Sequence, residues 1–205
     1  MENQTITIDP SELSSRDSYR LLISVVIPRP IAWVSTLGVD GTLNLAPYSF
    51  FNAVSGDPPT VIFSVGQREG QPKDTLRNIQ ETGEFVVNLP DRLLAETMVK
   101  TAGEWNYDVD EFEVAGLETT PSIGVKPPRV ATAPIAMEAK SIQIIPIDGS
   151  PNTLILGRIV RFHIQEGLFL PKGTVDAKAF NPVARLGSAD YATLGEILTI
   201  LRPQV

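Results

Sequence analysis

The stretch RPIAWVSTLGVDGTLNLAPYSFFN, from Arg29 to Asn52, constrains the fold more than any other part of the chain. Ile31 to Leu37 is rich in β-branched and aromatic residues, GVDG supplies a turn, and Thr42 to Ser55 returns as a second arm. The segment therefore reads as a β-hairpin. Its second arm carries Pro47, which has no N–H to give to a strand ladder, so this arm belongs at a sheet edge or a bulge. Where pairing lapses, the backbone groups of Tyr48, Ser49 and Phe50 are free to meet a ligand. The same arm bears aromatic bulk. A planar heterocycle with hydrogen-bonding atoms along one edge matches that combination.

Around the hairpin the chain reads mostly as β-structure. YRLLISVVIP predicts a short helix or a helix-like lead-in, punctuated by Pro28 and Pro30. TVIFSV, Thr60 to Val65, is an apolar run of buried-strand length. KDTLRNIQETGEF predicts a helix from about Asp74, with Leu76 and Ile79 on one face and Gly83 near its end, and FVVNLP is the next strand. LLAETMVKTAG predicts a second helix closed by Gly103. EWNYDVDEFEVAGLETTPSIGVKPPR is long, polar and proline-rich, the composition of an ordered excursion over the surface. APIAMEAKSIQIIPI and TLILGRIVRFHI are two long strands joined at DGSPN; LFLPKGTVDAKAFNPVARLG is irregular, and YATLGEILTILRP fits a short helix or a strand. Strands joined mostly by short turns, with two or three helices between them, predict a closed or partly closed barrel with helical decoration. At 205 residues, without repeat or linker, residues 1–205 are expected to form one domain.

Composition and motifs remove several functions. A net charge of −7 without clustered Lys and Arg argues against a nucleic-acid partner. The absence of cysteine excludes disulfides, thiolate nucleophiles and Cys-ligated metals. One histidine cannot build a paired-histidine zinc site, and His163, in GRIVRFHI, reads as a partly exposed strand residue rather than a catalytic one. No G-x-S-x-G elbow, dinucleotide fingerprint or Walker A loop occurs. The acidic cluster DVDEFE reads as a solvated face. No signal-peptide pattern opens the chain, and the apolar run Leu21 to Ile27 is far short of the roughly 20 residues that cross a bilayer. A soluble, cytoplasmic protein without a membrane partner is expected. Paired catalytic carboxylates stay open on the sequence; otherwise any enzymatic chemistry falls to an organic cofactor.

An anion site is also legible. Ser35 and Thr36 offer short hydroxyls, and the helix N-terminus at Lys73-Asp74-Thr75 offers backbone N–H groups with a cation beside them. The plainer reading is a bulged barrel strand with Asp74 as an ordinary N-cap, and the residues alone favour it slightly.

Three linked motifs change that balance. PRPIAWVST, DGTLNLAPYSFFNAVSGDPPTVIFSV and KDTLRNIQETGEFVVNLP, in this order and spacing, resemble the flavin reductase-like, FMN-binding split-barrel family. That family includes flavoredoxin and the flavin reductase components of two-component monooxygenases. The likeness is dense from about Pro28 to Pro90, thins in the middle and returns in NPVARLGSADY. It implies a fold that is mainly β with flanking helices, a split β-barrel. It also implies a homodimer with FMN near the subunit interface. Carried over by position, the isoalloxazine and ribityl parts of FMN fall to Trp33, Val34, Ser35 and Thr36, and to Asn44, Ala46, Pro47, Tyr48, Ser49, Phe50 and Asn52. Lys73, Asp74 and Thr75 match the phosphate end, with the charge contact given to Lys73 and helix capping to Asp74. Arg29 is a second phosphate candidate, and Arg185 and Tyr191 are positions that close the site.

The implied activity is hydride uptake from NADH or NADPH, with electrons passed to free flavin, a partner monooxygenase or another acceptor. The alternative is an FMN-binding electron carrier or sensor without NAD(P)H turnover. A third possibility, a dimeric binding module that has lost flavin, is opposed by the retained NLAPYSFFN and KDT segments. Two departures stand out. Some relatives carry a cysteine in the strand matching IAMEAK, and their double glycine near the C-terminus here reads Gly187-Ser188, adding a Cβ beside the substrate pocket.

Overall fold

The structure, a computed structural model, describes residues 4–203. Seven strands form its main sheet: β1 (Ala32–Leu37), β2 (Leu43–Tyr48), β3 (Phe51–Gly56), β4 (Pro59–Val65), β5 (Glu84–Leu89), β6 (Ile135–Pro146) and β7 (Thr153–Ile164). Their order is β2-β1-β5-β6-β7-β4-β3, and every neighbouring pair is antiparallel. The two edge strands, β2 and β3, are therefore successive in the chain, with only Ser49 and Phe50 between them. The sheet curls until its edges are joined by that corner, but no ladder closes them. The expected single arm from Thr42 to Ser55 is thus two strands on opposite edges. Phe51 pairs with Phe63 while Tyr48 pairs with Ala32, and those long-range pairings split the arm. Pro47 lies on the edge strand β2 opposite Trp33, where its missing N–H interrupts no second ladder.

Both faces of the curled sheet are covered. Along β1, Ala32 and Val34 face an inner core with Phe63, Phe85 and Ile155, while Trp33 faces an outer core with Leu45, Met98 and Phe112. Residues 32–36 are fully buried for that reason, and a strand dry on both faces reads as a near-continuous apolar run. Tyr48, Phe63 and Phe85 pack in a row, the first pair tilted and the second edge-on, with neighbouring ring centroids 5.4 Å apart. Burying one such ring contributes roughly 1.5–3 kcal/mol.

Five helices decorate the described residues: α1 (Ser15–Val25), α2 (Asp74–Thr82), α3 (Ala95–Lys100), α4 (Glu111–Ala115) and α5 (Ala177–Phe180). Ser14 caps α1 by accepting the Asp17 N–H. Helix α2 runs as expected: Leu76 and Ile79 enter the inner core, and Gly83 ends it at φ 72°, where a side chain would be strained. Its N-cap, however, is Lys73, with no side-chain capping bond. Asp74 stands one residue inside the helix and pairs with Arg77 at 2.8 Å, so the capping role expected of it is not formed. Helix α3 also stops before Gly103, because Thr101 caps it and donates its hydroxyl to Met98 O.

The long hairpin of β6 and β7 forms as expected. His163, half-buried on β7, lies 2.6 Å from the buried Glu138 carboxylate, which also accepts the N–H groups of Ile123 and Gly124. The pair ties the excursion to the sheet. Beyond Ala192 the described chain is neither helix nor strand. No helix among the described residues is long and apolar enough to cross a membrane.

Candidate functional site

Two cavities meet at the split of the barrel, sharing Pro47 and Ala102 in their walls. The smaller, about 90 Å³, gathers Asn44, Ala46, Tyr48, Lys73, Asp74 and Thr75. The larger, about 1100 Å³, gathers Arg29, Ser49, Arg185 and Tyr191 beneath one face of α1. Strand β2 is the wall between them. Phe50 and Asn52 lie off this pair, in a shallow hollow of about 350 Å³ that also includes Arg29 and Ser49. Asn52 is exposed, and its Oδ1 accepts the Ala53 N–H at 2.9 Å.

Trp33, Val34, Ser35 and Thr36 line neither cavity. Each is fully buried and already engaged. Trp33 Nε1 donates to Thr101 Oγ1 at 2.9 Å, Ser35 Oγ donates to the Pro128 carbonyl at 2.6 Å, and Val34 packs in the inner core. Thr36 Oγ1 accepts from Asn44 Nδ2 at 3.1 Å and from Asn78 Nδ2 at 3.0 Å.

Thr36 belongs to a buried polar network that fixes the floor of the small cavity. Thr75 Oγ1 accepts from Asn44 Nδ2 at 2.9 Å and from the Tyr48 hydroxyl at 2.8 Å. Burial pushes the Tyr48 pKa well above the usual phenol value, so this hydroxyl keeps its proton for that bond. Through these bonds the edge strand β2 is keyed to the first turn of α2. The consequence is positional: Lys73 stays exposed at the mouth, beside N–H groups that no side chain caps.

Arg29 acts as a staple. Its buried guanidinium donates through Nη1 to the carbonyls of Ile23 and Val26 and through Nη2 to that of Leu186, with a longer 3.4 Å contact from Nε to Ser49 Oγ. Four of its five N–H groups are thereby occupied, binding α1, the C-terminal hairpin of Ala184–Arg185 with Tyr191–Ala192, and the corner together. Arg185 stacks on the Tyr191 ring, 4.4 Å from its centroid, and donates to the Tyr191 hydroxyl and the Ser188 carbonyl. Ser188 itself sits at φ 55°, in the left-handed region that glycine favours.

One residue contradicts its sequence reading. DVDEFE is not a solvated face: Glu111 is only 5% exposed, and its Oε2 accepts the Leu45 N–H at 2.9 Å on the outer edge of β2. Desolvation pushes its pKa up to about 7, opposed in part by that hydrogen bond. It lines the small cavity beside Arg68 and Trp105, which sequence reasoning also missed. A signal was available. Asp110 and Gly116 bracket EFEVA as N-cap and C-cap of a short helix, and Phe112 inside the acidic run is a core residue.

The chemistry on offer is binding and orientation. Among the described residues no cluster of three or more His, Asp or Glu side chains could hold a metal ion. Lys73 and the start of α2 offer the small cavity a cation and uncapped N–H groups, and the large cavity is lined by arginines.

The chain is similar over nearly its whole length to proteins of known structure. Nitrilotriacetate monooxygenase component B from Bacillus cereus superposes with a TM-score of 0.94 at 38% identity, covering 97% of this chain and all of that one. The 2-nitrobenzoate 2-nitroreductase of Pseudomonas fluorescens gives 0.88 at 36% identity, over 97% of this chain and 96% of its own. A Shewanella frigidimarina protein with a split-barrel domain gives 0.85 at 20% identity, over 95% and 96%, so the mainly β fold, open between β2 and β3, is a split barrel. Residues 24–177 match the family model for the flavin reductase like domain, and the chain belongs to that family.

Proposed function

We propose that this protein is an FMN-binding oxidoreductase that takes a hydride from NADH or NADPH and passes electrons to free flavin, a partner monooxygenase or another acceptor. One observation carries the reading: two cavities share Pro47 and Ala102 in their walls, with Lys73 and the uncapped start of α2 at the smaller one. Those N–H groups and that cation suit a phosphate. The ion pair with Arg77 offsets Asp74, and Arg68 and Lys73 stand in the same cavity against Glu104 and Glu111. A ring system needs the wider space, and pockets for such ligands hold roughly 300–1,000 Å³. The edge position of β2 leaves backbone groups near Tyr48 and Ser49 for the polar rim of a flavin.

When bound, FMN supplies a reversible two-electron store. The chain's own residues bind and orient: Lys73 holds the phosphate end, the Thr75 network holds β2 in place, and Arg29 fixes the corner against α1. Positioning of this kind needs no acid–base pair. The similarity to a monooxygenase component and to a nitroreductase supports redox work for small molecules, with a monooxygenase among the candidate partners.

A homodimer is part of the proposal. Phe162 and Phe169, both more than half exposed, line an apolar hollow of about 940 Å³ with Ile164 and Val175. A symmetric copy would cover it. A monomer by light scattering with flavin still bound would overturn that part. The main test is the visible spectrum of the purified protein, followed by NADH or NADPH without oxygen. Flavin bands that bleach support the reductase reading. Bands that persist leave an electron carrier, and the absence of flavin uptake overturns both.

A further inference from the structure

One buried ionisable group of the small cavity has no part in holding the phosphate end. Glu111 begins α4, and the Leu45 N–H donates to its Oε2. Among the described residues no side chain or backbone group donates to Oε1, yet that oxygen is not a sealed orphan. The slight exposure of this residue therefore includes Oε1, which opens on the cavity that Glu111 lines. Other ionisable groups converge there. Lys73 and Asp74 stand at the start of α2, Arg68 enters from the hairpin of Gln67–Arg68 with Gln71–Pro72, Glu104 follows α3, and Asp110 precedes Glu111 on its own turn. Strand β2 adds only Tyr48, whose proton is held, and α3, packed on α4, brings no ionisable side chain to this wall. With Asp74 paired to Arg77, the cations Arg68 and Lys73 face the carboxylates of Glu104 and Glu111. Once Glu111 is protonated they face only the exposed Glu104.

A dianion entering this cavity meets the ionised carboxylate where little water lies between to screen it. Protonation removes the repulsion and turns Oε1 from an acceptor into a donor, while Oε2 goes on accepting the Leu45 N–H. Burial already pushes the Glu111 pKa up to about 7, so the proton is readily gained near neutrality. We propose that Glu111 is a proton-linked selector of the small cavity: an anionic end binds there together with a proton taken from solvent by the Glu111 carboxylate, and a neutral ligand binds without one. The proposal rests on the flavin reading in taking the phosphate of FMN as that anion; the linkage itself belongs to the cavity. Its sign follows. Above about pH 7 the free carboxylate is ionised, binding must restore the proton, and affinity for the anion falls as pH rises. The phosphate itself adds no slope there, because its second ionisation, near roughly pH 6, is already complete.

The test compares wild type, Glu111→Gln and the control Glu113→Gln, whose target is an exposed acid on the same helix. FMN and riboflavin are titrated by fluorescence, and sulfate, a dianion that does not titrate near neutrality, by calorimetry. For wild type and control, FMN affinity should fall by up to about tenfold per pH unit between about pH 7.5 and 9, the limit for one linked proton, while riboflavin affinity stays level. Glu111→Gln keeps a neutral group at the position, so its FMN affinity should be level too and about tenfold above wild type at pH 9. Heats of FMN binding in two buffers of different ionisation enthalpy should differ for wild type and agree for Glu111→Gln, which reads the proton directly. A level FMN curve in wild type, a slope shared by riboflavin, or a slope that survives Glu111→Gln would overturn the proposal and leave the flavin reading standing. A chain that takes up no FMN yet binds sulfate with the slope that Glu111→Gln abolishes sinks the flavin reading and keeps this one. Binding of neither anion sinks both.

Discussion

The Glu111 carboxylate accepts the backbone N–H of Leu45 at 2.9 Å, across 66 positions of sequence, and so fastens the acidic excursion to the free edge of the barrel. Burial holds its pKa up at about 7, whereas an unfolded glutamate ionises near roughly 4.3. Between those values the folded chain binds more protons than the unfolded one. This group's contribution to stability therefore falls as pH rises through about 4.3 to 7 and is constant above. Glu111→Gln keeps a carbonyl acceptor for Leu45 and removes the charge. The variant should lose less melting temperature than wild type between pH 5 and 7 and melt higher at pH 8, by on the order of 1–3 kcal/mol in stability. Parallel melting curves across that range would show that Glu111 does not titrate with folding.

The legible parts of this fold are those set by local chemistry. Pro47 announces an edge because its missing N–H is a property of one residue. Helix α2 announces itself through Leu76, Ile79 and Gly83. The break at Ser49 and Phe50 is different, since Phe51 to Gly56 keeps a strand-forming pattern and only its pairing with β4 assigns it to the far edge. The site was blurred for a related reason. A threonine that meets a ligand and one that satisfies a buried amide look alike in sequence. In the structure Thr36 and Thr75 serve Asn44, Asn78 and Tyr48. Glu111 was hidden among acidic neighbours because its partner lies on a distant strand.

Thr75→Val tests that network. The substitution keeps the shape of Thr75 and removes an acceptor shared by Asn44 Nδ2 and the Tyr48 hydroxyl, both buried. A buried donor left without a partner costs about 1–3 kcal/mol. Denaturant unfolding should show a loss of that size, with an unchanged dependence on denaturant concentration. An unaltered midpoint would mean that both donors find other acceptors.

Gly157→Ala tests the inner core. A Cβ at Gly157, on β7, would run into the ring of Phe85, which is fully buried and packed edge-on against Phe63. Overpacking of a tight core costs typically about 1–3 kcal/mol. A lowered melting temperature is expected, and Gly157→Ala combined with Phe85→Leu should recover part of it because the shorter side chain vacates the contact. If the single variant melts like wild type, the Phe85 ring has room that this packing does not show.

Lys73→Ala separates binding from folding at the narrow end of the site. Lys73 is the N-cap residue of α2, yet its side chain makes no capping bond, and it is exposed beside uncapped N–H groups. Removing it should leave the melting temperature of the flavin-free protein nearly unchanged, since surface substitutions of this kind stay within about 0.5 kcal/mol. Flavin binding should respond differently for two ligands that differ by one phosphate. A charge-assisted contact to that phosphate contributes roughly 1.5–3 kcal/mol, so FMN affinity should fall about tenfold or more. Riboflavin lacks the group and should bind the variant as it binds wild type. Added salt should narrow the gap between wild type and variant for FMN alone, because an exposed cation is screened. Fluorescence titration of both ligands with both proteins reads all four affinities. Equal losses for FMN and riboflavin would remove Lys73 from the phosphate end and shift that role to Arg68, which lines the same small cavity.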